Sequence, residues 1–524
     1  MRRAGCAIVW AWWCATVTAA EPAPATPPPS PENPVGWRRD GTGRYPDVDP
    51  PITWARARRD AGAYETKGIT WMTPMPAGGV SCPIVVGDHI YLTTEVCDLV
   101  CLDAKDGRLL WIRSSPEFEA VPADERAATP AYAEKLEPLA KELAAVNDDL
   151  VVALNARRAT APSAAPVPPE ALVKRKRAIE KQINDAQSAI DKKKFARYWG
   201  QAVFGFSGPT PVSDGGNVCA FFTTGVTASF TADGRRRWIA RGAGGGSEHG
   251  NFASPVICDG RVCVWANEMR AYDVETGALA WSVPAKAFNT YGSMFRVRAG
   301  ADWVACHQWG FFVRVRDGTP VWDKGIFGDS VCTPVVDGRT VYAAVGYPKA
   351  NDKTKGLRAF TLPADTAGGK LTPGVTYKPE WADDEIPQSK EKAPFDRGYV
   401  SSPLVDDGLV YQLTQGGGLT VHDAATGALA YRKVLDLHPR THYWDWAGCS
   451  ASPTRAGPYV YIMDNQGTTL VLKPGRAYAE VARNVIEELR EGGKDQAQMV
   501  STPVFDGKRM YYRTPGFLYC IEKP

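Results

Sequence analysis

Several absences narrow the chemistry before any motif is considered. No two cysteines are adjacent and no Cys-x-x-Cys-His occurs, which excludes attachment of a c-type haem. There is no Gly-rich phosphate loop and no nucleophile elbow, so neither a nucleotide cradle nor an α/β-hydrolase serine is indicated. Charge of one sign is also missing. Lys+Arg total 61 against Asp+Glu 58, and this balance argues against nucleic acid or an acidic membrane as the main partner. Beyond the first twenty residues no run of about 18 apolar residues appears, so no transmembrane segment is expected after signal cleavage. Turn formers are plentiful: 50 Gly and 41 Pro in 524 residues, too few for low complexity and enough for many tight turns.

The N-terminus reads as a signal peptide over residues 1–20. Arg2 and Arg3 precede an apolar stretch from Ala4 to Val17, and Thr18-Ala19-Ala20 offers small residues for cleavage. The protein is therefore expected to be exported, to a periplasm or outside the cell. Residues 21–36 are Pro/Ala-rich, the composition of an extended tether. Cys6 and Cys14 would leave with the signal, and ten of the 12 cysteines remain. An oxidising compartment permits disulfides, but the spacings suggest no pairing. Several fall at recurrent strand positions, as small core residues do.

An internal repeat organises the rest. One unit begins with a small residue and Pro, runs through apolar residues to an Asp-Gly turn, and continues as an apolar strand. After a polar loop come a third strand, a tight turn ending in Gly, and Trp. The third copy runs from Ser254-Pro255 through Asp259-Gly260 and Asp273 to Gly277 and Trp281. Other copies open at Cys82-Pro83, Thr210-Pro211, Thr333-Pro334, Ser402-Pro403, Ser452-Pro453 and Thr502-Pro503, and a fourth, degenerate at its start, recovers Asp317-Gly318 and Trp322. Turns recur roughly every 40–50 residues, the period of four-stranded propeller blades. Pro suits the first residue of a strand, and Asp-Gly supplies the positive φ of a two-residue hairpin. A column of Tyr91, Cys219, Cys263, Tyr342, Tyr411, Tyr461 and Tyr511 marks the second strand, and Trp71, Trp111, Trp238, Trp281 and Trp322 are expected to dock between neighbouring blades. The eighth copy stops after three strands. Gly68 to Trp71 is expected to supply its fourth and close the ring, which removes an exposed sheet edge.

The triplets Asp103/Gly107/Trp111 and Asp273/Gly277/Trp281 resemble the tryptophan-docking pattern of the PQQ-like propeller repeats, a superfamily of quinoprotein dehydrogenases and of non-catalytic propellers of the outer-membrane assembly factor type. The chain also resembles secreted PQQ-binding-like repeat proteins with an N-terminal Trp-Arg…Gly segment, here Trp37 to Gly43. The fold class implied is all-β, an eight-bladed β-propeller, with residues 37–122 forming the closing strand and first blade and residues 199–524 the other seven.

Residues 123–198 break the pattern. Leu136, Leu139, Leu143, Val146, Leu150 and Ala153 step by threes and fours, and so in the main do Leu172, Ile179, Ile183, Ala186 and Ile190. An inserted antiparallel helical hairpin is expected, of roughly 25–28 residues per helix and about 40 Å long. Lys174 to Arg177 and Lys192 to Lys194 give it a basic run: a solvated face of a self-contained coiled coil, or an arm that meets an acidic protein or anionic polymer.

Candidate site residues come from loops on the face where propellers usually hold ligands over the channel. The densest is His442-Tyr443-Trp444-Asp445-Trp446, which resembles the Trp-Asp segment that approaches the quinone in quinoprotein dehydrogenases. His249, Asn251, Arg397, Tyr399, His307 and Trp309 fall in comparable loops, with Glu95, Asn267, Glu268, Asn289, Tyr291 and Asp329. His249, His307 and His442 are the candidate metal ligands. The resemblance implies PQQ and Ca²⁺ as possible cofactors. Against it, the vicinal cysteines that cover the quinone in many of these enzymes are absent. Three functions stay open: a non-catalytic binding or scaffold protein for a protein or polymer partner at the channel face and the hairpin, a PQQ- and Ca²⁺-dependent oxidoreductase, and a metal-dependent hydrolase or lyase.

Overall fold

The computed structural model describes residues 27–59, 64–160, 169–196, 205–242, 252–285, 291–322, 327, 330–345, 356–362, 372–376, 401–437, 448–487 and 501–524. Their strands form eight sheets. The first runs up and down through Ile84–Val86, His89–Thr94, Asp98–Asp103 and Leu109–Ser114. The same order recurs in sheets that start at Val212, Val256, Phe295, Val335 and Leu404, and in the seventh, which runs through Thr454–Ala456, Tyr459–Met463, Thr468–Leu472 and Glu480–Ile486. The eighth takes Val504–Asp506, Arg509–Arg513 and Phe517–Glu522 from the C-terminus, and its next strand, Ile69–Pro74, from the N-terminal region. Two distant parts of the chain thus share one sheet.

Buried apolar clusters alternate with the sheets, each filled from two successive ones. Tyr91 and Trp111 of the first sheet meet Val226 and Phe230 of the second. Tyr411 and Leu419 of the sixth meet Val460 and Leu470 of the seventh. The eighth closes on the first, where Tyr511 and Leu518 pack with Ile90 and Val100. A sheet covered on both faces has no solvent side, so its inner strands can be apolar without alternation, as in Val218–Phe221, buried throughout.

The recurrent Gly-Trp pattern has a geometric cause. The indole of Trp71 lies over Gly107, Trp111 over Gly234, Trp238 over Gly277 and Trp281 over Gly318, and a Cβ at any of these glycines would come within 2.4–2.8 Å of the ring. Nε1 of Trp111 donates to the Ala232 carbonyl, that of Trp238 to Val274 and that of Trp281 to Val315, each in the next sheet. Nε1 of Trp71 finds no such acceptor among the described residues. Trp322 pairs with Phe312 in the fourth sheet.

The insertion departs from expectation in useful ways. Its helices span Glu137–Asn155 and Glu170–Ile190, shorter than the periodicity suggests. Leu143, Val146, Leu150, Ile179 and Ile183 join the cluster between the eighth and first sheets, so this segment extends the core of the fold. Asn155 holds both the N–H and the carbonyl of Leu109 with its side-chain amide, as a neighbouring strand would. Ala159–Thr160 then adds a short strand beside Trp71 and Met72, where no strand is expected from sequence. Lys176, one of the basic run, is buried: its Nζ lies 2.8 Å from Asp98, also pairs with Glu180 and donates to the Glu95 carbonyl. No helix among the described residues is long and apolar enough to cross a membrane.

Candidate functional site: the axial channel

The small residues that open each repeat meet at the axis. The Cys82 N–H donates to Thr210 Oγ1 and the Thr210 N–H to Ser254 Oγ. Ser293 Oγ donates to Ser254 Oγ, and the Ser293 N–H to Thr333 Oγ1. The series continues from Thr333 to Ser402, Ser452 and Thr502, and Thr502 lies beside the Cys82 thiol. This is a ring of side chains, hydrogen-bonded from Cys82 round to Thr502, with a hydroxyl or thiol from every sheet. The Pro that follows each member in seven of the repeats brings no N–H to satisfy. The fourth repeat lacks that Pro and enters the ring through Ser293.

The ring surrounds a cavity of about 120 Å³ with Trp37 in its wall. Beside Trp37, Arg38 is buried at 1% exposure and donates to the carbonyls of Pro403 (2.9 Å) and Pro453 (2.7 Å). Burial lowers its pKa to about 10, which leaves it charged at neutral pH. Arg38 and Arg39 both have positive φ, 52° and 67°, and Gly43 packs so closely on the guanidinium that a Cβ would lie 2.2 Å from Nη2. The tight turn that results drives the charged group into the axis. Two short extensions hold the segment there: Val35 bridges to Ser213, and Arg44–Tyr45 pairs in parallel with Arg455 and Ala456. The Trp-Arg…Gly segment is the visible sequence signal of this plug.

Residues 55–161, 172–296 and 271–523 match the family model described as the outer membrane protein assembly factor BamB. The chain belongs to this family. No curated protein matches the sequence. Among solved structures, BamB from Moraxella catarrhalis is 16% identical, with 59% of this chain and 80% of that one covered at a TM-score of 0.40. The quinohemoprotein alcohol dehydrogenase ADHIIG from Pseudomonas putida HK5 is 13% identical, with 94% and 80% covered at a TM-score of 0.50. At that identity the likeness is one of fold.

The sequence resemblance implies PQQ and Ca²⁺ as possible cofactors, and the described polar residues at the channel mouth are largely committed to the chain itself. The cavity falls well below the roughly 300–1,000 Å³ of small-molecule sites. The Glu95 carboxylate accepts from the N–H groups of Phe206 and Ser207 and from Ser207 Oγ at 2.6–2.9 Å, so its lone pairs are spent on the chain. Nearby, Arg513 is buried and donates to Ser81 and to the Thr93 carbonyl. His307 is 3% exposed, its ring 3.9 Å from that of Trp265 and nearly parallel, and its Nδ1 accepts from the Trp309 N–H. Burial lowers the His307 pKa to about 3, so the imidazole is neutral. Trp309 is half-buried on the same turn. His249, Asn251, Arg397, Tyr399, His442, Tyr443, Trp444, Asp445 and Trp446 lie outside the described residues, as do Asn289 and Asp329. No group of three or more His, Cys, Asp or Glu placed to hold a metal occurs among the described residues. All ten cysteines from Cys82 to Cys520 are free and buried.

Proposed function

We propose that this chain is an exported, eight-bladed propeller of the tryptophan-docking type that acts in the cell envelope as a non-catalytic platform for a protein partner. The channel mouth, with the loops that carry His249, Arg397, Tyr399 and His442 to Trp446, is its primary contact face, and the helical hairpin of the insertion is a second. The observation that carries this reading is the plugged axis: Trp37, Arg38 and the hydroxyl ring fill the place where a small substrate or cofactor would descend. Membership of the BamB family agrees with it, since that description names an assembly factor. The hairpin leaves Arg177 exposed while Lys174, Arg175 and Lys181 are paired with Glu170, Glu142 and Asp185, so its outer face offers mixed charge to a partner.

The test is photo-crosslinking in the native host with a reactive residue at Trp309 or Arg177, beside titration of the purified chain with PQQ and Ca²⁺ followed by absorbance and thermal shift. A discrete crosslinked envelope protein and no quinone binding are expected. Saturable PQQ binding, lost on Trp444→Ala and Asp445→Asn, overturns the platform and favours an oxidoreductase.

A further inference from the structure

The opposite end of the channel is built differently. There the turns between the first and second strands of several sheets, with the N-terminal segment, enclose a cavity of about 890 Å³. We propose that this vestibule binds an extended peptide segment carrying both a cationic group and a carboxylate. The site lies at the other end of the inner strands from the channel mouth, and the proposal does not rest on the platform reading.

Size comes first: the volume lies within the roughly 300–1,000 Å³ range of specific small-ligand sites. The walls also carry polar groups that the chain leaves unsatisfied. Tyr45 is 2% exposed, lines the cavity, and its hydroxyl has no hydrogen-bond partner. Arg455, also in the wall, spends Nε on Asp406 at 2.8 Å, while its Nη1 is buried and unpartnered. An orphaned buried donor keeps the cost of its lost hydration, and a bound acceptor would relieve it. Asp88 and Asp506 line the same cavity, and neither forms an ion pair among the described residues. The wall also carries Arg39, Arg44 and Arg296 beside Asp40 and Asp406, so a simple anion would meet carboxylates as well as guanidinium groups. A simple cation would leave Tyr45 and Arg455 unsatisfied. A ligand with both charges answers both needs.

The backbone points to a peptide. Arg44–Tyr45 already adds a strand to the inner edge of the seventh sheet, and Val35 bridges to the second. The inner strands Ile84–Val86 and Val504–Asp506 each have a ladder partner on one side only, and both border the cavity. Their main-chain groups offer an incoming extended segment the same pairing, which fixes its direction while the charged walls select its ends or side chains.

Two pools of synthetic pentapeptides, presented to the full chain by equilibrium dialysis with mass-spectrometric readout, test this. One pool has free termini and includes Lys and Asp; the other is capped at both ends and contains neutral residues only. The charged pool should be retained about tenfold more strongly. The double variant Asp88→Asn/Asp506→Asn should remove that preference with its thermal transition intact, and Tyr45→Phe should weaken retention about threefold. Leu279→Ser, on an exposed strand of the third sheet, should leave it unchanged. Equal retention of the two pools, or retention indifferent to the double variant, overturns the proposal.

Discussion

Where Gly277 sits, the Trp238 ring occupies the space in which a side chain would begin, and the backbone φ of 72° is one that L residues avoid. Gly260 has a similar φ of 66° and nothing within 4 Å of its missing Cβ. Gly260→Ala should therefore cost only the backbone term, about 1–2 kcal/mol. Gly277→Ala should add the displacement of an indole, about 1–3 kcal/mol more. Urea denaturation of the pair separates the two effects, and equal losses would mean that the Trp-Gly contact contributes nothing. Arg38 is a second residue with a distinct signature. Arg38→Ala should cost about 2–3 kcal/mol and expose residues 27–46 to protease, because two charge-assisted hydrogen bonds are lost. Arg38→Lys should not restore resistance, since an ammonium cannot span both carbonyls as the guanidinium fork does.

Protonation belongs to the same scale. His307 is stacked on Trp265, and both ring nitrogens of His422 are buried without partners. Desolvation lowers their pKa values, to about 3 and about 4. The unfolded chain binds protons near pH 6.5 and the folded chain does not, so the stability of the neutral rings is fully present above about 6.5 and is lost as pH falls towards 4. At pH 5 each histidine should subtract about 2 kcal/mol. His307→Phe and His422→Leu should flatten that part of the stability profile. An unchanged profile would show that these rings do not titrate on unfolding.

At the scale of elements, the insertion is tied down by a buried charge network. Lys176 faces Asp98 and Glu180, while Asn147 and Asp98 share Ser114 Oγ. Lys176→Met alone leaves two buried acids without their cation and should cost about 3–5 kcal/mol. Adding Asp98→Asn and Glu180→Gln should recover most of that loss. Hydrogen exchange over residues 137–190 would report whether the helices detach in the single variant. Rapid exchange there in the parent chain would contradict a docked insertion. Lys176 also donates to the Glu95 carbonyl, and the Glu95 carboxylate caps residues 206–207, so this network reaches from the insertion to the second sheet.

For the whole molecule the decisive joint is the eighth sheet, where Ile69–Pro74 meets Phe517–Glu522. Deleting residues 517–524 strips Tyr511 and Trp71 of their shared neighbour and breaks the series of sheets. A broad, low-temperature transition is expected in place of a single cooperative one. A truncated chain that melts as sharply as the parent would show that closure is dispensable. Much of this architecture is legible in the sequence because the repeat imposes the same local demands many times. Ser/Thr-Pro, Asp-Gly and Gly…Trp each answer a steric or hydrogen-bonding need within one unit or between adjacent ones. The plug is visible only as an odd Trp-Arg…Gly string, and Tyr45 and Arg455 carry no signal at all, because the cavity they both line joins positions about 410 residues apart.

The sequence by itself determined the strand-rich repeat, its period, the join between its two ends and the helical character of the insertion, since each follows from short-range periodicity and turn chemistry. Only the tertiary structure decided that the axis is filled by Arg38, that Lys176 is buried and not solvated, and that a charged vestibule opens on the turn side. Those outcomes depend on which distant carbonyls and carboxylates a long side chain reaches, and no local pattern encodes that distance.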